Sequence, residues 1–415
     1  MKDTAASEDL SKPVNRREFM TMAGAAALSL TILPPGLVRG TQANSRIGIG
    51  LVGCGGRGTW IAELFRKHGG YEVTAVADYF RERADTFGAA VDVPEGRRFA
   101  GLSGYKRLLD AGVDAVAVET PPYFHPQQAA AAVDAGAHVY LAKPVAVDVP
   151  GSLLIAESAA AAERKKKAFL VDFQTRANPF FIEAVRRVHD GALGDIVFGE
   201  ASYHADCPFE QWYDLLRADP NNPENWIRGW GLDRALSGDM ITEQDIHALD
   251  VMNWVMDTPP LFAHGTGGLK ARPKIGTCWD HFVVHFQYPQ GVGIQFSGRQ
   301  FKGHGTSEGI KNRVFGSRGI LETEYGGNVL IRGEQFYRGG KTSGIYEEGA
   351  AANIAAFYRA VTSGDFRNPT VAPGVQSNLI TILGRKAAYE NRQVRWEELI
   401  KDGEQLRPAL KGLKD

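Results

Sequence analysis

Five short apolar runs punctuate the chain between Arg46 and Val171, and each is separated from the next by a stretch of helical periodicity. Arg46 to Val52 is almost continuous in apolar residues and glycine, the pattern of a strand buried on both faces of a parallel sheet. Tyr71 to Ala77, Asp114 to Val118, His138 to Leu141 and Ala168 to Val171 repeat it. Helical patterns follow Gly58 through His68, lie near Gly104 to Ala111, cover Gln127 to Ala135 and begin again at Ser152. Strands alternating with helices predict a parallel, doubly wound sheet. Further on the period changes to two. Phe282 to Tyr288 and Val292 to Phe296 flank Pro289-Gln-Gly, which predicts an antiparallel hairpin. Asn353 to Thr362 and Val375 to Arg392 predict two helices, whereas Gly265-Thr-Gly-Gly and Gly303-His-Gly read as loops.

A chain of 415 residues exceeds what one core usually organises, so two domains are expected. The 47 lysines and arginines nearly cancel the 48 aspartates and glutamates, so no global field favours nucleic acid or an anionic membrane surface. Cys54, Cys207 and Cys278 are odd in number and lack metal-ligand spacing, and histidines and acids never cluster as metal ligands, so no metal is expected. Asn15-Arg16-Arg17-Glu18-Phe19-Met20 precedes a mildly apolar run, Ala23 to Leu33, and then Pro34-Pro35-Gly36. That order reads as a twin-arginine export signal occupying residues 1–43, served by the twin-arginine machinery and ending in the periplasm. The run is about half of the ~20 residues that span a bilayer, so no stable membrane insertion is expected.

The first strand runs directly into Gly53-Cys-Gly55-Gly56-Arg57-Gly58 and then a helix. Strand, glycine loop and helix together make a dinucleotide site, with backbone N–H groups at the helix start facing the pyrophosphate. Asp78 ends the second strand, where an acid accepts hydrogen bonds from the adenosine ribose. It would repel a ribose phosphate, which favours NAD over NADP, although nearby Arg81 softens that preference. Gly53, Gly55, Gly56, Arg57, Gly58 and Asp78 are therefore assigned to the cofactor.

Glu119-Thr120-Pro121-Pro-Tyr-Phe-His125-Pro and Ala135-Gly-Ala-His-Val-Tyr-Leu-Ala142-Lys143-Pro144 resemble the Gfo/Idh/MocA family of glucose-fructose oxidoreductases and inositol dehydrogenases. So do Gly191-Ala-Leu-Gly-Asp-Ile and Gly238-Asp-Met-Ile-Thr-Glu243-Gln-Asp-Ile-His247-Ala-Leu-Asp250. The resemblance implies a Rossmann domain over residues 44–172 and, over 173–415, a substrate domain with a large, open, mostly antiparallel sheet. It also implies a homo-oligomer, and cofactor contacts from Thr120, Pro121, His125 and Lys143. Lys143 matches the lysine of the family's Glu-Lys-Pro motif and is expected to be the general base, with His247 sharing the proton. Ala142 replaces the usual glutamate, which predicts an easier loss of the lysine's proton. Glu243 lies four residues before His247, so on a continuous helix it would orient the imidazole and stabilise its charged form.

For the substrate, Arg176, His204, Trp226, Arg228, Glu243 and His247 are the candidates, since aromatic faces mixed with fixed polar groups suit a sugar. The expectation is an exported oxidoreductase with tightly held NAD, acting on a carbohydrate or polyol hydroxyl. Two rivals use the same parts. One is an NAD-dependent glycosidase working by transient oxidation and elimination, for which a tyrosine near Lys143 would speak. The other is a catalytically retired sugar-binding protein.

Overall fold

A computed structural model describes residues 46–415, so the paired-arginine segment lies outside the described residues. The first six strands are β1 (Ile47–Val52), β2 (Tyr71–Asp78), β3 (Arg98–Ala100), β4 (Ala115–Val118), β5 (His138–Ala142) and β6 (Phe169–Asp172). They pair in the order β3-β2-β1-β4-β5-β6, every pair parallel. Strand order reverses between β1 and β4, and ligands bind open α/β sheets in the crevice at the carboxyl ends beside such a reversal. β1, β4 and β5 are buried almost throughout, which explains their unbroken apolar sequence.

The second sheet has nine strands. They are β7 (Ile196–Ala205), β8 (Phe262–Gly268), β9 (His281–Gln287), β10 (Gly293–Gln300), β11 (Gly309–Gly316), β12 (Gly319–Glu324), β13 (Asn328–Gly333), β14 (Tyr337–Lys341) and β15 (Val394–Arg395). Their order is β14-β13-β12-β11-β7-β10-β9-β8-β15. Only β7 and β10 run parallel among the pairs; the rest are antiparallel. Gly265 to Gly268, expected as a loop, belongs to β8. A side chain at Gly267 would stand 2.4 Å from the His281 carbonyl and 2.7 Å from the Trp279 ring, so glycine here allows close approach rather than a turn.

One face of this sheet is apolar and packed. The helices Ile246–Met256 and Val371–Glu390 cover it, burying Ala201, Phe282, Val284, Phe286, Ile294 and Phe296. The opposite face carries exposed Phe198 and Val283. Helix Ile345–Ser363 returns to the first sheet, where Ala350, Ile354 and Phe357 pack with Ile61, Phe65 and Tyr71. Arg46 to Asp415 thus pack as one unit. Among the described residues no helix is long and apolar enough to cross a membrane.

Candidate active site and nucleotide cleft

The glycine loop is constrained at two points. Gly53 has φ 99°, and a side chain on it would lie 2.6 Å from the Glu119 carbonyl; one on Gly58 would lie 1.8 Å from the Gly53 carbonyl. Gly56 faces open space, leaving a bare backbone cradle at the start of helix Gly56–His68. An anion as large as a pyrophosphate fits that cradle, whereas a side chain at Gly55 or Gly56 would fill it. Asp78 caps the crevice at the end of β2. Its Oδ2 accepts from Cys54 N at 2.7 Å and its Oδ1 from Phe80 N at 2.8 Å. Burial raises its pKa, against the pull of those N–H groups and Arg83. Arg83, not Arg81, lines the cleft beside Asp78; Arg81 pairs with Asp85 and the Arg98 carbonyl outside it.

Lys143 follows β5 and points at the neighbouring domain. Its Nζ donates to the Glu243 carbonyl at 2.6 Å and to Glu243 Oε1 at 3.3 Å. Both side chains are almost buried, at 8% and 11% exposed. Glu243 Oε2 accepts from Gln244 Nε2 at 2.7 Å, and Gln244 Oε1 accepts from the Tyr203 hydroxyl at 2.6 Å. The acid missing at Ala142 is therefore supplied from the opposite domain.

The expected stack of Glu243 on His247 does not form. Helix Met240–Glu243 stops, Gln244 and Asp245 intervene, and a second helix begins at Ile246, so the two side chains do not share one helical face. His247 Nδ1 has no hydrogen-bond partner. Burial, the Lys143 ammonium and the Arg57 guanidinium hold the imidazole well below its ordinary pKa, hence neutral. Tyr325 faces it, with ring centroids 5.7 Å apart.

Sequence reasoning missed an acidic pair close to Lys143 and His247. Arg57 leaves the glycine loop and binds the Asp172 carboxylate at the end of β6, with Glu119 Oε2 3.2 Å from its Nε. Both acid side chains are fully buried. Burial, only partly offset by Arg57, pushes the Glu119 carboxyl up to about 7. Neither Glu119 oxygen has a hydrogen-bond partner. The signal was present in the sequence: a lone acid ends the wholly apolar strand Ala-Val-Ala-Val.

Four expected substrate residues lie elsewhere. Tyr203 points toward Gln244, so alternation along β7 turns His204 to the opposite face of the sheet, where it meets Ser297 Oγ at 3.0 Å. Arg176 is spent on buried Asp250 at 2.9 and 3.0 Å and stacks on Trp254. Arg228 lies over the Phe80 ring at 3.7 Å and binds Glu82, while Trp226 Nε1 donates to the Pro220 carbonyl. Their segment, with Ile227 and Trp230, roofs the Asp78 end of the nucleotide cleft. His125, expected at the cofactor, is also committed internally. Its nitrogens meet the carbonyls of Pro144 at 2.8 Å and Thr120 at 2.7 Å. Burial lowers its pKa to about 4 against the pull of both carbonyls, and because a neutral imidazole carries one N–H it donates to only one of them at a time as it joins the β4 loop to the β5 loop. Thr120 and Pro121 do line the cleft.

Residues 47–173 match the oxidoreductase family profile with an NAD-binding Rossmann fold, and residues 181–322 match the GFO/IDH/MocA C-terminal domain, together more than half of the chain. The chain belongs to the Gfo/Idh/MocA family. It is 33% identical to an inositol 2-dehydrogenase of Saccharopolyspora erythraea, over 37% of this chain and 44% of that one. A glycosyl hydrolase family 109 protein of the same organism is 26% identical over 57% of this chain and 54% of that one. The chain thus spans about half the length of these two relatives. The crystal structure of an aldose-aldose oxidoreductase from Caulobacter crescentus shares the fold, with a TM-score of 0.66 at 21% identity, over 84% of this chain and 99% of that one. The family match makes the first domain an NAD-binding one, which agrees with the bare cradle and Asp78.

Proposed function

We propose that this protein oxidises a carbinol of a sugar or polyol, or reduces the corresponding carbonyl, beside Lys143 and His247. The observation that carries this reading is the pairing of a doubly anchored lysine with a neutral histidine whose Nδ1 is unpartnered, at the carboxyl ends of β4 and β5. Gly53, Gly55, Gly56 and Asp78 would hold NAD. Bound NAD supplies the hydride acceptor. The protein manages the proton: the third Lys143 N–H grips the reacting oxygen, and His247 accepts the hydroxyl proton. This reverses the division of labour expected from the sequence, because Glu243 occupies the lysine. The Arg16-Arg17 order supports export, and a nucleotide enzyme outside the cytoplasm must keep its cofactor. The open face of the nine-stranded sheet suits a second copy.

Tyr325 beside His247 favours a second reading, because elimination from a transiently oxidised pyranoside needs an extra proton-carrying group. That chemistry is redox-neutral and releases an aglycone. Absorbance at the reduced-nicotinamide band, on protein purified without added cofactor, is expected to change with one member of a panel of sugars, polyols and glycosides. Product analysis then separates a ketone from a released aglycone. Silence from every compound, with NAD or NADP added, would leave only a sugar-binding role.

Asp78→Asn keeps an acceptor for only one of the Cys54 and Phe80 N–H groups, sets an NH2 against the other, and loses the charge that a ribose hydroxyl reads. We expect NAD affinity to fall by roughly tenfold or more relative to NADP, the worth of a charge-assisted hydrogen bond. An unchanged ratio in calorimetric titrations would remove Asp78 from the ribose site.

A further inference from the structure

With Trp226 and Arg228 assigned to the nucleotide roof, the aromatic surface that a sugar ring needs must lie elsewhere. Trp60, one turn past the glycine loop, stacks on Tyr346 at the start of helix Ile345–Ser363, with ring centroids 4.6 Å apart and planes 22° apart. Packing between their two helices does not require this pair. Phe65, Phe357, Ile354 and Ala350 already seal that interface deeper in, and all four are buried. Tyr346 is instead 50% exposed.

Arg57 links the pair to the reacting cavity. Its Nη1 donates to the Tyr346 hydroxyl at 3.1 Å, and its guanidinium carbon lies 5.6 Å from the Trp60 ring centre and 5.8 Å from that of Tyr346. The same guanidinium binds Asp172, and its charge acts on His247. A half-exposed aromatic stack, tied by the partly exposed Arg57 to the buried Asp172 and Glu119, offers a flat apolar face beside fixed donors. Such a surface matches the apolar face and equatorial hydroxyls of a pyranose.

We propose that Trp60 and Tyr346 form a second carbohydrate subsite, so that the substrate is a glycoside or oligosaccharide whose reacting ring enters the Lys143–His247 cavity while its neighbouring ring stacks on Tyr346. This rests on the reading of that cavity as a carbinol oxidoreductase site. A purely structural role would leave Tyr346 covered; its exposure and its hydrogen bond to Arg57 are what the subsite uses.

The test compares steady-state reduction of nicotinamide with glucose and galactose against cellobiose and lactose, in wild type, Tyr346→Ala and Tyr346→Phe. In wild type the disaccharide is expected to have a KM about tenfold below that of its monosaccharide, equivalent to roughly 1.4 kcal/mol. Tyr346→Ala brings the ratio of the two KM values to about one, and Tyr346→Phe, which keeps the ring, restores it. Equal KM values for the two sizes in wild type, or a ratio unchanged in Tyr346→Ala, overturn the subsite while leaving the oxidoreductase reading intact. No response to any of the four sugars overturns the subsite, while the oxidoreductase reading is judged separately by its panel of polyols and glycosides.

Discussion

Replacing Lys143 is expected to lower kcat by about 100- to 1,000-fold while NAD stays bound, the range for removing a donor that grips the developing oxyanion. Single-turnover formation of the reduced-nicotinamide band reads the chemical step, and calorimetry reads nucleotide retention. Alanine alone would confuse the result. It would strand the Glu243 carboxylate, which is only 11% exposed, and leaving one partner of a buried pair uncompensated costs about 3–5 kcal/mol of stability. Lys143→Met combined with Glu243→Gln removes both charges together and keeps an oxygen that can accept from Gln244 Nε2. His247→Ala should lose about 100-fold by itself. Because both side chains act on one reacting oxygen, adding His247→Ala to the lysine variant should cost much less than the product of the separate losses. Wild-type rates in either variant would remove that residue from the reaction.

The nucleotide half was legible because its physics is local. A glycine with φ 99° between a buried strand and a helix start, followed one strand later by Asp78, leaves few alternatives. The reacting cavity was legible only in part, because it is assembled from four places: Arg57, Glu119, Lys143 with Asp172, and Glu243 with His247. No spacing in the sequence brings Lys143 to Glu243, one hundred residues on. The four-residue interval between Glu243 and His247 looked like helical stacking, yet a break at Gln244 and Asp245 gave the acid to the lysine. The strand β7 was not read from the sequence, and neither was the parity that faces the helices; Tyr203 on Gln244 decides it and sends His204 outward. Trp226 and Arg228 had a composition that suits sugar binding, and composition carries no address. Trp60 and Tyr346, nearly three hundred residues apart, gave no sign of meeting.

Glu119 gives the second large expected effect, on stability rather than rate. Its carboxyl is fully buried at the end of β4, faced by Arg57 from the glycine-loop helix, Lys143 after β5, Tyr140 within β5 and Asp172 on β6. Burial outweighs Arg57, so the group titrates at about 7 in the folded protein instead of the ordinary 4.5. Between those two values the native state holds a proton that the unfolded chain has lost, so stability falls as pH rises from about 4.5 to about 7 and is flat beyond. The difference amounts to roughly 3 kcal/mol, with the attraction of Arg57 already included. Glu119→Gln preserves the shape of the protonated acid and cannot ionise. Wild type and variant should therefore be equally stable at pH 5 to within about 1 kcal/mol, while at pH 8 the variant unfolds at a higher temperature or denaturant concentration. His125 and His247, neutral by burial, act in the opposite sense at acid pH, but they are common to both proteins and cancel in the comparison. Identical pH profiles for the two would mean that Glu119 is ionised throughout, with Arg57 holding it as a plain ion pair. A steeper fall in the variant at pH 8 would mean that the Arg57 guanidinium depends on the Glu119 charge and that Asp172 alone does not satisfy it.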